Sequence, residues 1–317
     1  MYKYIIGRIV LIFVALFLVI TILFFSTWIA TFEKYFKTLR FADYFPFIWD
    51  KFVVYVTGIV KHWDWGISES GDPVWPLVFG KIHYTLKITL ACLLFFVTFG
   101  IGLGILSAIK KNTWIDKLII FLTTIFSSLP SFVAVWLLML TLGWGLKLVP
   151  ALYPVMTENP IEALLGLVIP VIALTMWPLS KITYLVRGEI SEILSEEYIL
   201  LARTKGLSKT QCITHHALKN VFVVVMPEIV NSFLFVLGSS FIVEIIYNVQ
   251  GVANLFFDAL LKPYMDHFYV NMDVPVAVLV ATFYMSFGLV FCLVIDIITV
   301  LIDPRIKIGA KKQKQIY

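Results

Sequence analysis

Residues 196–220 read EEYILLARTKGLSKTQCITHHALKN, a charged and polar stretch between two apolar runs, Ala163–Tyr184 and Val221–Ile246. Ser195 is placed to accept from the first free amides of a helix as its N-cap. Glu196 and Glu197 follow in the first turn and Arg203 and Lys205 in the last, the signs that the helix dipole favours at each end. Gly206 suits the left-handed residue that closes a helix. Ser208 and Gln211 then form an S-x-x-Q capping box that opens a second helix, which runs through Lys219 into the next apolar run. The pattern predicts a helix over Glu196–Lys205, a glycine hinge, and a helix. A helix below about 12–15 residues is marginal alone in water, so the first one needs a surface to pack on. Tyr198, Leu201 and Ala202 form its apolar stripe at i, i+3, i+4. Two partners for that stripe stand open: the inner ends of the chain's own helices, or a groove on another protein.

The flanks decide what kind of protein holds this segment. The 317 residues are 60% hydrophobic and 14% charged, with mean hydropathy +0.93. Soluble domains carry roughly 45–50% apolar and about 25% charged residues, so this chain needs lipid as solvent. A bilayer core of about 30 Å takes roughly 20 apolar residues per helix. Six stretches qualify: Ile5–Ile29, Thr89–Ile109, Leu118–Leu142, Ala163–Tyr184, Val221–Ile246 and Val274–Val300. Porin-like alternation is absent, which favours helices over a barrel. The expected fold is all-α, integral to the membrane, with six transmembrane helices.

Lys and Arg set the orientation. With both termini inside, the inner face receives Lys3, Arg8, Lys110, Lys111, Lys117, Lys181, Arg187, Arg203, Lys205, Lys209, Lys219, Arg305, Lys307, Lys311, Lys312 and Lys314. The short loops after the third and fifth spans hold only Lys147 and Lys262. Lys3 and Arg8 before an apolar run resemble a signal peptide, but the run is long and no A-x-A site ends it, so an uncleaved first helix is expected. No extramembrane stretch is long enough for its own domain. Residues 1–317 read as one transmembrane domain, with an extracellular loop at 30–84 and a cytoplasmic loop at 185–220.

The extracellular loop is rich in aromatics, among them Tyr35, Phe36, Tyr44, Phe45, Phe47, Trp49, Trp63, Trp65 and Trp75. An interfacial structure and a docking surface for an outside partner are both open. Pro130, Pro170, Pro178 and Pro227 lie within or beside apolar runs, where proline kinks a helix. Cys92, Cys212 and Cys292 have no redox or metal spacing; they read as two buried hydrophobes and one surface thiol on the cytoplasmic side. No P-loop, H-E-x-x-H or G-x-S-x-G is present. Adjacent His215 and His216 point to different faces of a helix and do not chelate together, and no metal site is expected. The positive charge is accounted for by the inner face, so nucleic acid is not implied.

Glu228, Glu244 and Asp296 lie within apolar runs, where acids are costly and by default functional. Glu244 and Asp296 sit near span ends, within reach of the interface. Glu228 is deeper and follows Pro227. Either it relays protons in a secondary transporter, or it is bonded across helices or faces a wet cavity. Ser127, Ser128, Ser131, Ser239 and Ser240 are small and weakly polar. They suit a translocation path, or equally the close packing of helices by small residues.

Ala202-Arg203-Thr204-Lys205-Gly206-Leu207-Ser208 and His216-Ala217-Leu218-Lys219-Asn220 resemble the cytoplasmic loop of ABC importer permeases. More narrowly they are similar to the oligopeptide/dipeptide/nickel permease family, first-subunit type. Gly100-Ile101-Gly102-Leu103-Gly104, Ser128-Leu129-Pro130-Ser131-Phe132, Leu148-Val149-Pro150-Ala151, Glu244 with Gly251, Asp273-Val274-Pro275 and Asp303-Pro304-Arg305-Ile306-Lys307 match family positions in order. There are departures. Leu200, Leu201, Ala202 stand where the general importer loop has Glu-Ala-Ala. The proline after the loop is displaced to Pro227, Gln250 replaces a proline before Gly251, and extra residues lie between Ala259 and Asp273.

The resemblance implies a type I ABC importer transmembrane domain in a bacterial plasma membrane, one permease subunit of an oligopeptide importer, without its own ATPase. It implies a homologous second permease, two ATPase subunits that bind ATP and Mg, and an extracellular peptide-binding protein. It also implies ATPase coupling through Glu197, Tyr198, Leu201, Ala202, Arg203, Lys205, Gly206, Leu207 and Ser208. The path residues, Ser128, Ser131, Glu228, Ser239 and Ser240, are guessed from residue type. The alternatives are a nickel or dipeptide importer of the same family and a proton-coupled carrier. An intramembrane protease lacks the paired acids or Ser/His pair it needs.

Overall fold

The computed structural model describes residues 2–35, 41–155, 157–264, 267–270 and 273–302. The ending Asp303–Lys307, with Lys311, Lys312 and Lys314, lies outside the described residues, as does Phe36; so do the side chains of Lys3, Tyr35, Tyr44, Lys209, His215, His216, Lys219 and Lys262.

Among the described residues the regular structure is helical apart from one two-stranded hairpin and an isolated bridge between Ile67 and Pro73. In order it forms α1 (Tyr2–Tyr35), α2 (Phe41–His62), α3 (Val74–Ile109), α4 (Trp114–Ser128), α5 (Ser131–Leu138), α6 (Pro160–Ile193), α7 (Glu197–Thr204), α8 (Lys209–Cys212), α9 (Leu218–Ile246), α10 (Val252–Leu260) and α11 (Val274–Ile302). Two wider, π-helical stretches extend regular ones: Met139–Gly145 after α5, and Ile213–Ala217 between α8 and α9. Strands β1 (Leu261–Tyr264) and β2 (His267–Val270) pair antiparallel with Leu261 opposite Val270. The extra residues between Ala259 and Asp273 therefore include a hairpin that follows α10.

Among the described residues, five helices are long and apolar enough to cross a membrane, and a sixth span exists if α4 and α5 are counted together. That third span was expected as one kinked helix over Leu118–Leu142. It is instead broken, with a bend of 105° between its halves. Proline has no N–H to donate and pushes the residue before it out of the helical region. Leu129 is accordingly extended (φ −92°, ψ 120°), and Pro130 (φ −60°, ψ 140°) starts α5 afresh. Pro170, Pro178 and Pro227 are carried inside continuous helices.

The described residues form two compact units. The first holds the described residues of 2–4, 87–247 and 291–302. Within it, α6 and α9 pack along each other, and α4 and α5 lie against α6. Its α3–α6 seam is set by glycine: a Cβ on Gly104 would lie 2.6 Å from Val186, and one on Gly100 3.0 Å from Ile182. Thr183 Oγ1 donates to the Gly100 carbonyl at 3.3 Å, and Ser180 Oγ donates to the Thr123 carbonyl at 2.8 Å. Small residues at such seams let membrane helices approach closely. Near the outer end, Tyr247 Oη donates to the Pro150 carbonyl at 2.7 Å, which fixes the loop containing Leu148–Ala151.

The second unit spans 5–86 and 248–290. The aromatic loop contributes α2, a helix of 22 residues. Phe24, Ile48, Phe52, Val274 and Val278 form one apolar cluster, joining α1, α2 and α11. Trp65, Val74, Val78, Val252, Leu255, Val276 and Leu279 belong to another. Trp65 is buried, whereas Trp49 and Trp63 are exposed. Asp273 organises the start of α11. Its Oδ2 accepts from Ser68 Oγ at 2.6 Å and from the Glu69 amide at 2.9 Å. The Asp273-Val274-Pro275 triplet thus ties a loop to a helix N-terminus.

Candidate functional site

The cytoplasmic segment begins where α6 ends. The Ser195 amide donates to the Glu192 carbonyl and the Glu196 amide to the Ile193 carbonyl, a tight turn into α7. Ser195 was expected to cap α7 and does not. Its hydroxyl donates backward to the Glu192 carbonyl at 2.6 Å, and Glu196 is the N-cap residue without a side-chain cap bond. The hydroxyl joins its own backbone amide on the Glu192 carbonyl, at the end of α6, rather than turning to an amide of α7.

The C-terminal signals read as expected. Gly206 has φ +96°. Its amide donates to the Arg203 carbonyl at 3.0 Å and the Leu207 amide to the Ala202 carbonyl at 3.3 Å, the paired bonds of a Schellman closure. The Ser208 amide donates to Gln211 Oε1 at 2.8 Å, and the Gln211 amide donates back to Ser208 Oγ at 3.3 Å. This is the capping box, complete in both directions. Gly206 is therefore a fixed joint between two closed helix ends.

The side chains of α7 divide unevenly. Ile199 is fully buried, whereas Tyr198 is 47% exposed, Leu200 49% and Leu201 58%. Ala202 and Leu207 are half-buried, and Glu197, Arg203, Lys205 and Ser208 are exposed. One isoleucine anchors the helix on its own chain. The Tyr198–Leu201 edge of the expected stripe is open, flanked by charge. Cys212, expected as a surface thiol, is buried instead. It sits where α8 runs into the wider turn that leads to α9, with its side chain turned inward.

A cluster outside the residues singled out by sequence lies at the inner end of α6. Arg187 Nε donates to Asp116 Oδ1 at 2.7 Å, and Nη2 to Oδ2 at 2.8 Å. Ser107 Oγ donates to Asp116 Oδ1, and the Asn112 amide to Oδ2 at 2.9 Å. Asp116 is 2% exposed. The carboxylate thus joins the end of α3, the turn after it, the first turn of α4 and the last third of α6. The two-point Arg–carboxylate pair is the strong, directional form of ion pair. An acid and an arginine at the inner edges of two spans were the available signal.

The guessed path residues fall into separate places. Ser128 ends α4 and Ser131 begins α5, so both flank the Pro130 break. Ser127 and Ser128 donate to the Thr124 carbonyl at 2.9 and 2.8 Å, so both hydroxyls turn back onto the last turn of α4. Broken membrane helices occur where the backbone lines a cavity or is buried in protein. Ser239 is half-buried; Ser240 is buried and donates to the Leu237 carbonyl at 2.9 Å. Glu228 is half-buried on the same helix, and at 1.5 Å per residue it lies about 17 Å from that pair. Glu228 and the α9 serines are therefore not one site. Glu244, expected to reach the interface, is fully buried. Among the described residues, no group of three His, Cys, Asp or Glu side chains is placed to hold a metal ion.

Residues 100–308 match the family described as binding-protein-dependent transport system inner membrane component. The chain belongs to that family. It is a multi-pass permease component of a plasma-membrane transport system that works with partner subunits. A dipeptide transport system permease protein, DppB, of Lactococcus lactis is 28% identical over 320 residues, covering 97% of this chain and 100% of the relative. The protein of the same name from Bacillus subtilis is 27% identical over 82% of this chain and 80% of its own length. Among solved structures, an inward-facing form of the MetNI methionine ABC transporter matches with a TM-score of 0.57. The match is 15% identical and covers 74% of this permease and 99% of that chain, a likeness of fold.

Proposed function

We propose that this permease is one transmembrane domain of an ATP-driven importer that moves peptides into a bacterial cell. In this reading it pairs with a homologous second permease, two ATPase subunits and an extracellular peptide-binding protein. ATP and Mg are held by the ATPases, and this chain performs no chemistry of its own. The observation that carries the coupling is α7: a short helix anchored by a single residue, closed at Gly206, with Tyr198, Leu200 and Leu201 open to a partner groove. Helix-in-groove contacts use such spaced apolar anchors. Peptides are favoured as cargo because both relatives carry dipeptide transport in their names.

The mechanism follows from the connections. Movement of α7 by an ATPase reaches α6 through the short turn at Leu194–Glu196, and the Asp116–Arg187 grip carries it to α3 and α4. The Pro130 break, with Ser128 and Ser131 on its two sides, is where the path opens. The test is uptake of a labelled dipeptide and a labelled oligopeptide by vesicles containing the assembled complex. Uptake that needs ATP and persists without a proton gradient supports the reading. Uptake that follows the proton gradient and ignores ATP overturns it.

A further inference from the structure

The second unit contains an apolar cavity of about 610 Å³. Its walls are short stretches of three membrane helices: Phe13 to Ile20 on α1, Trp75 to Ile82 on α3, and Leu279 to Ser286 on α11. Val56 to Val60 of α2 and the Trp63–Trp65 turn complete it. At 1.5 Å per residue each stretch spans about 10 Å, some two thirds of the roughly 15 Å hydrocarbon depth of one leaflet. The volume lies within the roughly 300–1,000 Å³ of small-molecule sites. Phe13, Phe17, Val60 and Phe79 remain exposed, so the cavity opens sideways along apolar surface.

One wall residue carries a buried polar group without a partner. Trp65 is 5% exposed, and its indole N–H has no hydrogen-bond partner among the described residues. The wall hydroxyls are already used: Thr282 donates to the Val278 carbonyl and Ser286 to the Phe283 carbonyl. A buried donor left unmade is costly, and indole N–H groups usually find an acceptor. Trp63 and Trp75 stand edge-to-face at 5.2 Å beside it, and indoles favour the membrane interface. Directly before Trp63, the last turn of α2 carries exposed Lys61 and His62.

We propose that this cavity is a binding site for a bilayer phospholipid. One acyl chain fills the space between α1, α3 and α11, an ester carbonyl accepts from Trp65 Nε1, and Lys61 meets the phosphate. The occupant is apolar along its body, with one acceptor at the top and an anion above it. A phospholipid of the outer leaflet has those three parts in that order.

The experiment uses the assembled complex in nanodiscs and a phosphatidylglycerol with a photoactivatable diazirine in one acyl chain. Labelled peptides are mapped by mass spectrometry. Adducts should concentrate on the Phe13–Ile20, Trp75–Ile82 and Leu279–Ser286 stretches. Trp65→Phe, which keeps a ring and removes the donor, should lower that labelling about fivefold, the worth of one hydrogen bond. Val60→Trp, on an exposed wall that tolerates bulk, should block it. Labelling spread evenly over all lipid-facing helices, or unchanged in both variants, overturns the proposal. So does a photoreactive residue at Val60 that captures the second permease in place of lipid.

Discussion

Arg187 holds Asp116 by two parallel bonds, Nε to Oδ1 at 2.7 Å and Nη2 to Oδ2 at 2.8 Å, across 71 positions of sequence. Arg187 lies six residues before the end of α6, about 9 Å of helix, and α7 hangs from that end. The pair therefore sits between the exposed cytoplasmic helix and the bundle. Asp116→Asn leaves the arginine facing a neutral amide in a mostly dry site. It should destabilise the fold by about 2–4 kcal/mol, near the lower range for breaking a buried pair. Thermal unfolding in detergent should show the loss, and Asp116→Leu with Arg187→Met should recover part of it. An unchanged midpoint in Asp116→Asn would remove the pair from the structural account.

The glycines of the 100–104 run separate by what lies opposite them. Gly104→Ala drives a methyl to 2.6 Å from Val186, whereas Gly102→Ala meets nothing within 4 Å. Overpacking costs about 1–3 kcal/mol. Gly104→Ala should lower the unfolding temperature, Val186→Ala should rescue it, and Gly102→Ala should be silent. Equal effects at 102 and 104 would contradict the α3–α6 seam.

At Gly206 the backbone has φ +96°. A β-branched residue there is strained by about 1–3 kcal/mol. Gly206→Val should release the Schellman bonds and misplace α7. Peptide uptake should fall at least tenfold while the ATPase subunits retain nucleotide hydrolysis, measured on the same preparation. Wild-type uptake in this variant would show that the joint carries no coupling.

The reciprocal Ser208–Gln211 bonds predict a local effect. Ser208→Ala should cost about 1 kcal/mol, visible as faster amide hydrogen exchange at Gln211 and Cys212. Adding Gln211→Ala should cost less than it does alone, because the two bonds form one box. Additive losses would mean that the two bonds act independently.

Glu228 is the test between energy sources. Glu228→Gln should leave ATP-driven uptake within about twofold of wild type. Abolished uptake that tracks the proton gradient would restore the carrier reading.

Local signals were legible in the sequence, and long-range ones were not. Gly206, Ser208 and Gln211 act through bonds that span three to five residues, so their roles survive folding unchanged. Ser195 obeyed the same logic but lies within reach of two helix ends, and its hydroxyl donates to the Glu192 carbonyl of α6. Pro130 announced a disturbance, but not a bend of 105°. The angle depends on α5 finding α6 and α9 to lie against, which composition does not encode. Glu244 was placed by its distance from a helix end, yet its face of α9 points inward and buries it. Asp116 escaped notice because its partner is on another span. The exposure of Leu201 was left open by the stripe alone, and burial of Ile199 settles which side of α7 faces the chain itself.

In the proposed mechanism the open edge of α7 seats in a partner ATPase. The most direct measurement places a photo-crosslinking amino acid at Leu201 in cells that express the whole system, with the same substitution at buried Ile199 as the control. Leu201 should give an adduct whose second component carries a nucleotide-binding P-loop, and Ile199 an adduct within this chain. A Leu201 adduct found only on the chain's own helices would contradict it.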